Sequence, residues 1–445
     1  MRVPADYRHP EAGSIRVAVN VHRATLPSER IGYLLVNPGG PGESGVELVH
    51  YLPLGIFTDE IVSHFDIIGF DPRGVGDSDP AFACGVPGEQ LELLATIEEP
   101  IETPDEIAAG EAAANLCIES MGPVGALLHS QYVANDMDEI RKALGADQVS
   151  YLGFSYGSAL GVWYATLFPG SVRAMVLDGA DNPVDPASTQ QERIDEAIEE
   201  VAPIADLLGQ ALVACDDPLC PIYNEGDPVG YFKQSVTKLD LVNDAVNHPV
   251  AGFFGVVSTL YSETTWPDLW QGLFELNERN DPSTLAGFAS IQFGPDPTAA
   301  RFITHVNCLD GWVLYPELDR ATLLDDSVVI DTIFEEMFPL LALMDPSFPS
   351  ACLFYDQFAP DPFYGPLDGG GVPILVIGNH ADPFTSFSES EELVTEVLSN
   401  GYLLETSHFS HVVYPHNRCI NDHIHSVLID GVYPTERWSL CEREE

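Results

Sequence analysis

The stretch 151-YLGFSYGSALG-161 sets one serine between two glycines, in the pattern G-x-S-x-G. Five residues with three fixed positions recur by chance, so the flanks decide the meaning. Before the serine runs "VSYLGF", an apolar, aromatic and β-branched segment that reads as a strand. After it runs "GSALGVWYATLF", which reads as a helix stopped at Pro169. Strand, sharp turn and helix together lift a serine hydroxyl above the carboxyl edge of a sheet. Gly153 and Gly157 are the small flanks such a turn needs, and a helix N-terminus favours developing negative charge. Ser155 is therefore the candidate nucleophile, against the plainer reading of a small residue in a packing turn.

Outward from this stretch, the first 185 residues alternate between strand and helix patterns. "SIRVAVNVHRA", "IGYLLVN", "DIIGF" and "VRAMVLDG" read as strands, and "GVELVHYL" as a helix. "SQYVANDMDEIRKALG" places Val133, Met137, Ile140 and Leu144 on one helical face, with Gly145 as its stop. Such alternation implies a mostly parallel sheet with crossover helices. From about 186 to 365 the pattern becomes helical, as in "QQERIDEAIEEVAPIADLLGQAL" and "WPDLWQGLFELNER". Strand and helix return near Gly369 with "VPILVIG" and "GYLLET". The expectation is one α/β core in two parts, 1–185 and 366–445, interrupted by a mainly helical cap over 186–365.

A serine nucleophile needs a base, and the base needs an orienting carboxylate. Asp382 follows the late strand in "VPILVIGNHADP", and His408 and His411 follow the next one in "YLLETSHFSHVV". His411 lies further beyond the strand end and is the preferred base, with His408 as the alternative; Asp178 is a rival acid, and His380 reads as a turn residue. The glycine loop "NPGGPGESG" after "YLLV" suits an oxyanion hole, in which the amides of Gly40 and Tyr156 would face the substrate oxygen. The same loop could cradle phosphate, but neither G-x-G-x-x-G nor G-K-[ST] is present. In "FDPRGVGDSDP", Arg73 is expected to knot with Asp71 and Asp77. Histidines and a cysteine crowd "HFSHVVYPHNRCINDHIH", yet their spacing fits no standard metal site, so no metal and no cofactor is expected.

Composition narrows the partners. The 445 residues hold 18 Lys and Arg against 69 Asp and Glu, a net charge of −51. That surface repels nucleic acids and anionic membranes and implies either adaptation to high salt or an acidic exported protein. No apolar run is long enough to span a bilayer. The opening "MRVPADYRHPEAG" lacks the apolar stretch of a signal peptide, which fits a cytoplasmic chain or the mature part of an exported one. Eight cysteines without a C-x-x-C pair suggest disulfides in an oxidising compartment, and Cys215 and Cys220 flank a turn they could close.

With these pieces placed, the chain resembles the tripeptidyl aminopeptidase branch of the prolyl-aminopeptidase-like serine hydrolases. The resemblance rests on "RVPADYRHPEAGSIRVAV", "LLVNPGGPGESG", "FDIIGFDPRGVGDSDP", "YLGFSYGSALGVWYATLFPGSVRAMVLDGADNP", "HADPFTSF" and "CINDHIHSVLIDGVYPTERWSLC". It implies an α/β-hydrolase core with a helical cap, and an exported enzyme that takes short pieces from free peptide N-termini, with esterases as the alternative. It carries nucleophile, acid and base onto Ser155, Asp382 and His411, and the oxyanion donors onto Gly40 and Tyr156. It also implies cysteine pairs 84–117, 215–220, 308–352 and 419–441. Members usually place a glycine before the base, where this chain has Ser410. The substrate expected is a peptide or a small ester. A non-catalytic binding module on the same scaffold is the reading from a different class, and the oligomeric state is left open.

Overall fold

A computed structural model describes residues 1–83, 104–184, 189–246, 251–293, 298–314, 320–344, 352 and 362–442. Two short strands near the N-terminus, β1 (Arg2–Pro4) and β2 (Ser14–Arg16), form an antiparallel pair of their own. The main sheet has eight strands: β3 (Val19–His22), β4 (Gly32–Asn37), β5 (Phe65–Phe70), β6 (Val149–Phe154), β7 (Val172–Asp178), β8 (Ile374–Asn379), β9 (Gly401–Thr406) and β10 (Trp438–Leu440). Their spatial order is β10-β9-β8-β7-β6-β4-β5-β3. All neighbours run parallel except β3, which pairs antiparallel with β5 at one edge. The segment "SIRVAVNVHRA" is thus not one strand but two, β2 and β3, in different sheets. The edge strand β10 carried no clear sequence signal, because it is three residues long and largely exposed.

β5, β6 and β8 are buried at every position, as expected of strands covered on both faces. Alternation sorts their side chains. Leu35, Tyr151, Met175 and Val376 join the core under the helices Ser130–Ala143 and Tyr156–Leu167. Val36, Leu152, Phe154 and Ile377 join the core on the opposite face, with Ile61 and Ile420. Gly145 ends its helix as expected, at φ +68°, with its amide on the Lys142 carbonyl.

Between β7 and β8 the described residues are mainly helical. The helix Gln190–Val213 opens on a reciprocal cap: Glu192 N donates to Thr189 Oγ1, and Thr189 N donates to Glu192 Oε2. It packs with Trp266–Arg279 and their neighbours around a separate apolar cluster that includes Leu208, Phe232, Leu269 and Leu273. Disulfides join Cys215 to Cys220, Cys308 to Cys352 and Cys419 to Cys441. The fourth pair expected from the resemblance involves Cys84, which lies outside the described residues. No described helix is long and apolar enough to cross a membrane.

Arg73 does not knot with Asp71 and Asp77. It is fully buried and grips Asp136 bidentately, at 2.8 Å from Nε and 2.7 Å from Nη2, and it donates to the carbonyls of Ala5 and Leu127. Asp71 instead accepts from Ser44 Oγ and from the amides of Val46 and Asp77. The reason is geometric. A fully buried planar guanidinium is best met by a fork of acceptors, and Asp136 on the helix Ser130–Ala143 offers one.

Candidate active site

Ser155 sits between β6 and the helix Tyr156–Leu167 with φ +54° and ψ −133°, a region few residues with a Cβ occupy. The turn is locked from both sides. Ser155 N donates to the Asp178 carbonyl at 3.1 Å, and Ser158 donates to the Ser155 carbonyl through both its amide and its hydroxyl. A Cβ on Gly153 would stand 2.3 Å from the Gly157 carbonyl oxygen, and one on Gly157 would stand 2.8 Å from Asn37. The G-x-S-x-G pattern is thus required by close backbone approach.

The glycine loop lies directly against this turn. A Cβ on Gly39 would meet Ser155 Cβ at 2.8 Å and the Tyr156 amide nitrogen at 3.3 Å. Asn37, buried at the end of β4, accepts from the Gly39 amide at 3.0 Å and holds the loop there. Gly40, Ser155, Tyr156 and His411 all line one cavity of about 680 Å³. The five residues singled out in the sequence therefore meet: four on that cavity, and Asp382 buried behind His411.

Asp382 Oδ1 accepts from His411 Nδ1 at 2.8 Å and from the amides of Phe384 and Thr385. Burial alone would lower the pKa of His411, but the charge and hydrogen bond of Asp382 outweigh it and leave the pKa above the usual 6.5. His408 turns elsewhere, its Nδ1 paired with Ser410 Oγ at 3.0 Å. Ser410, which stands where the resembling family has glycine, also donates to the Val412 carbonyl and so folds the loop on itself. Of the other histidines, His380 pairs with Glu405 and His425 with Thr58 Oγ1. His423 lies beside the sulfurs of Cys419 and Cys441, which are joined to each other.

Two supports had no sequence signal strong enough to assign them. The first is Asp178, considered above as a rival acid. Its carboxylate does not reach the His411 ring. It accepts from Val413 N at 3.1 Å and Tyr414 N at 2.8 Å, just past a Val412 held at φ +56°. Burial pushes its carboxyl up to about 7, against the pull of those two amides, with the charge of Asp382 adding to the rise. One residue thus ties the serine turn, by its carbonyl, to the base loop, by its side chain. The second is Tyr261 in the helical insertion. Its carbonyl accepts from His411 N at 2.9 Å, and its ring and that of Phe384 flank the imidazole at 5.4 and 5.2 Å.

A serine on a strained strand-to-helix turn, with a carboxylate-bound histidine at the same sheet edge, is the ground plan of the α/β serine hydrolases. The chain belongs to the α/β-hydrolase family. Residues 32–203 match the model of the alpha/beta hydrolase fold, and residues 349–439 match that of the TAP-like proteins. It is 30% identical to "Serine protease Hip1" of Mycobacterium tuberculosis, across 98% of this chain and 85% of the relative. It is also 30% identical to "Carboxylesterase B" of that organism, across 97% and 84%. A "Tripeptidyl aminopeptidase" of Streptomyces lividans is 28% identical across 96% and 80%. The protein is a serine hydrolase.

Proposed function

We propose that this hydrolase is an exopeptidase that releases short pieces from the free N-termini of peptides. In this reading His411 takes the proton of Ser155, Asp382 holds the imidazole, and the serine attacks the peptide carbonyl. The amides of Gly40 and Tyr156 stabilise the oxyanion, and water then cleaves the acyl-enzyme. The helices between 190 and 344 act as a cap that closes one side of the cavity. The three described disulfides support an exported protein.

The observation that carries the peptidase reading is an acidic wall in the serine's own cavity. Asp181, Glu200 and Glu389 all line it. Burial pushes the Asp181 carboxyl up to about 6. Burial, and then the charges of Asp181 and Glu200, hold Glu389 well above the ordinary range. Carboxylates crowded in this way are stabilised by a cation, and the ammonium of a peptide N-terminus supplies one at a fixed distance from the scissile bond. An ester substrate has no such group. The esterase reading keeps its support from the relative named as a carboxylesterase, so both substrates belong in the test. Peptide amides with free and with acetylated N-termini are compared with p-nitrophenyl esters. The free peptide is expected to exceed the acetylated one in kcat/KM on the order of ten- to a hundred-fold. Equal rates would remove the exopeptidase reading, and turnover of esters alone would install the esterase.

A further inference from the structure

The cavity around Ser155 has a second wall, and its chemistry is opposite to the first. Phe57, Phe154 and Tyr414 form an aromatic trio, with Phe57 edge-on to Phe154 at 6.2 Å and to Tyr414 at 5.9 Å. Leu48, Leu54 and Ile56 extend it along the same cavity. The two walls belong to opposite faces of the sheet. Phe57, Phe154 and Tyr414 continue the core that holds Leu152 and Ile377. Asp181 follows Ala180, which is part of the other core, and Glu389 lies on the helix Phe387–Glu392, whose Phe387 packs on that same core. Ser155, at the end of β6, stands on the boundary between them.

The walls differ in cover as well. The acidic side lies against the helix Gln190–Val213, where Val201 is buried and Ile204 half-buried, with Asp181 and Glu389 half-buried and Glu200 exposed on that helix. The apolar side runs out to solvent, since Leu54 is 76% exposed. It also leads on. Pro38, Gly40, Glu43 and Leu48 line a second cavity of about 450 Å³ that reaches the exposed Tyr51. Glu43 stands at that junction, and Glu47, Asp71 and Asp77 line the second cavity beyond it.

An enzyme that cuts from the N-terminus needs a closed end for the ammonium and an open end for a chain of any length. If the acyl portion runs from Ser155 toward the acids, the leaving portion must run the other way. We propose that the apolar wall is the subsite for the first residue on the leaving side of the scissile bond, and that the enzyme selects peptides with a large apolar side chain there. This assignment rests on the exopeptidase reading for its direction. Leu54 is its specificity-determining residue, because it is the exposed member that only a substrate would cover.

The test is a set of free-N-terminal peptides that share the released piece and vary the next residue through Leu, Phe, Gly, Asp and Lys, with products followed by mass spectrometry. Leu and Phe are expected to exceed Gly in kcat/KM on the order of ten-fold, the range a filled apolar pocket supplies. In Leu54→Asp and Leu54→Ser, the Leu-to-Gly ratio should collapse toward one. Labelling of either variant by a fluorophosphonate shows that the fold and the serine survive. A flat series in the parent protein, or an unchanged ratio in both variants, overturns the proposal. The companion acetylated series keeps the two ideas apart. If acetylated peptides are cut equally, the exopeptidase reading fails, and the leaving-residue series still reads the wall. If only free peptides are cut and the series is flat, the wall assignment alone fails. Should only esters turn over, butyl against methoxyethyl alcohols on one acyl group put the same question to the same variants, and equal rates overturn the proposal.

Discussion

At the carboxyl edge of the sheet, position is set by backbone conformations that few residues adopt. Ser155 stands at φ +54°, Val412 at φ +56°, and Gly39 lies so near the serine that no side chain fits. In the helices from 190 to 344, position is set by burial of one apolar stripe against others, around Leu208, Phe232 and Leu273. The first kind of order tolerates almost no substitution. The second tolerates any sequence that keeps volume and pattern. The two regions meet at His411, held by Asp382 from the sheet side and by the Tyr261 carbonyl from the helical side. The proposed chemistry thereby sits in the rigid region, while the adaptable one adds Glu200, Val201, Ile204 and Tyr261 to the lining of the same cavity. The predictions below ask whether that division holds.

The largest effect is expected at Ser155. Ser155→Ala removes the proposed attacking atom but leaves the turn, since both glycines and the Ser158 contacts remain. Turnover should fall by roughly six orders of magnitude with the melting temperature nearly unchanged. Activity within ten-fold of the parent would show that the strained turn is not where the chemistry occurs.

Asp178→Asn comes next and tests whether the edge works as one piece. Both amides of the base loop sit on one oxygen, Oδ2, which the Asn oxygen can replace, but its NH2 then turns a donor toward Val413 N, 3.2 Å from the present Oδ1. A loss in kcat/KM of about ten- to a hundred-fold is expected, within what a small misplacement of a catalytic group costs. A second readout separates positioning from simple destabilisation. The charge of Asp178 is among those that raise His411. A base must be neutral to accept a proton, so kcat/KM falls as pH drops through the His411 pKa. The Asp178 carboxyl itself lies up at about 7, so only its ionised fraction is lost across the acid limb, and the limb should move a small way to lower pH. A limb that stays in place would reduce Asp178 to packing.

These two residues also show what the sequence made legible. Ser155, Asp382 and His411 could be placed because each follows a strand whose apolar run is unmistakable, and catalytic order along the chain then assigns them. The sheet was legible for the same reason, except at its exposed edges. Asp178 was visible as a strand-end acid, but its partners are amides 235 and 236 residues away, and no local pattern records them. The partner of Arg73 was misread because Asp71 and Asp77 are near in sequence while Asp136 is near in space. The acidic wall could not be picked out from 69 acids until the fold brought Asp181, Glu200 and Glu389 to one cavity.

The smallest effect is expected in the helical region, where the comparison is sharpest. Cys215 and Cys220 close a loop of only a few residues at the end of the helix Gln190–Val213. A short loop has little closure entropy to lose, so replacing both with serine should cost about 2 kcal/mol of local stability. Cys215 is buried in the helical cluster, and neither cysteine lines the serine's cavity. Proteolysis within the 190–344 segment should therefore accelerate, while kcat/KM for a given peptide stays within two-fold. A loss of activity matching the loss of stability would mean that the helices and the sheet edge unfold as one unit. The base loop, shared through Tyr261, would then couple the two regions tightly enough that selectivity could not vary without disturbing the chemistry.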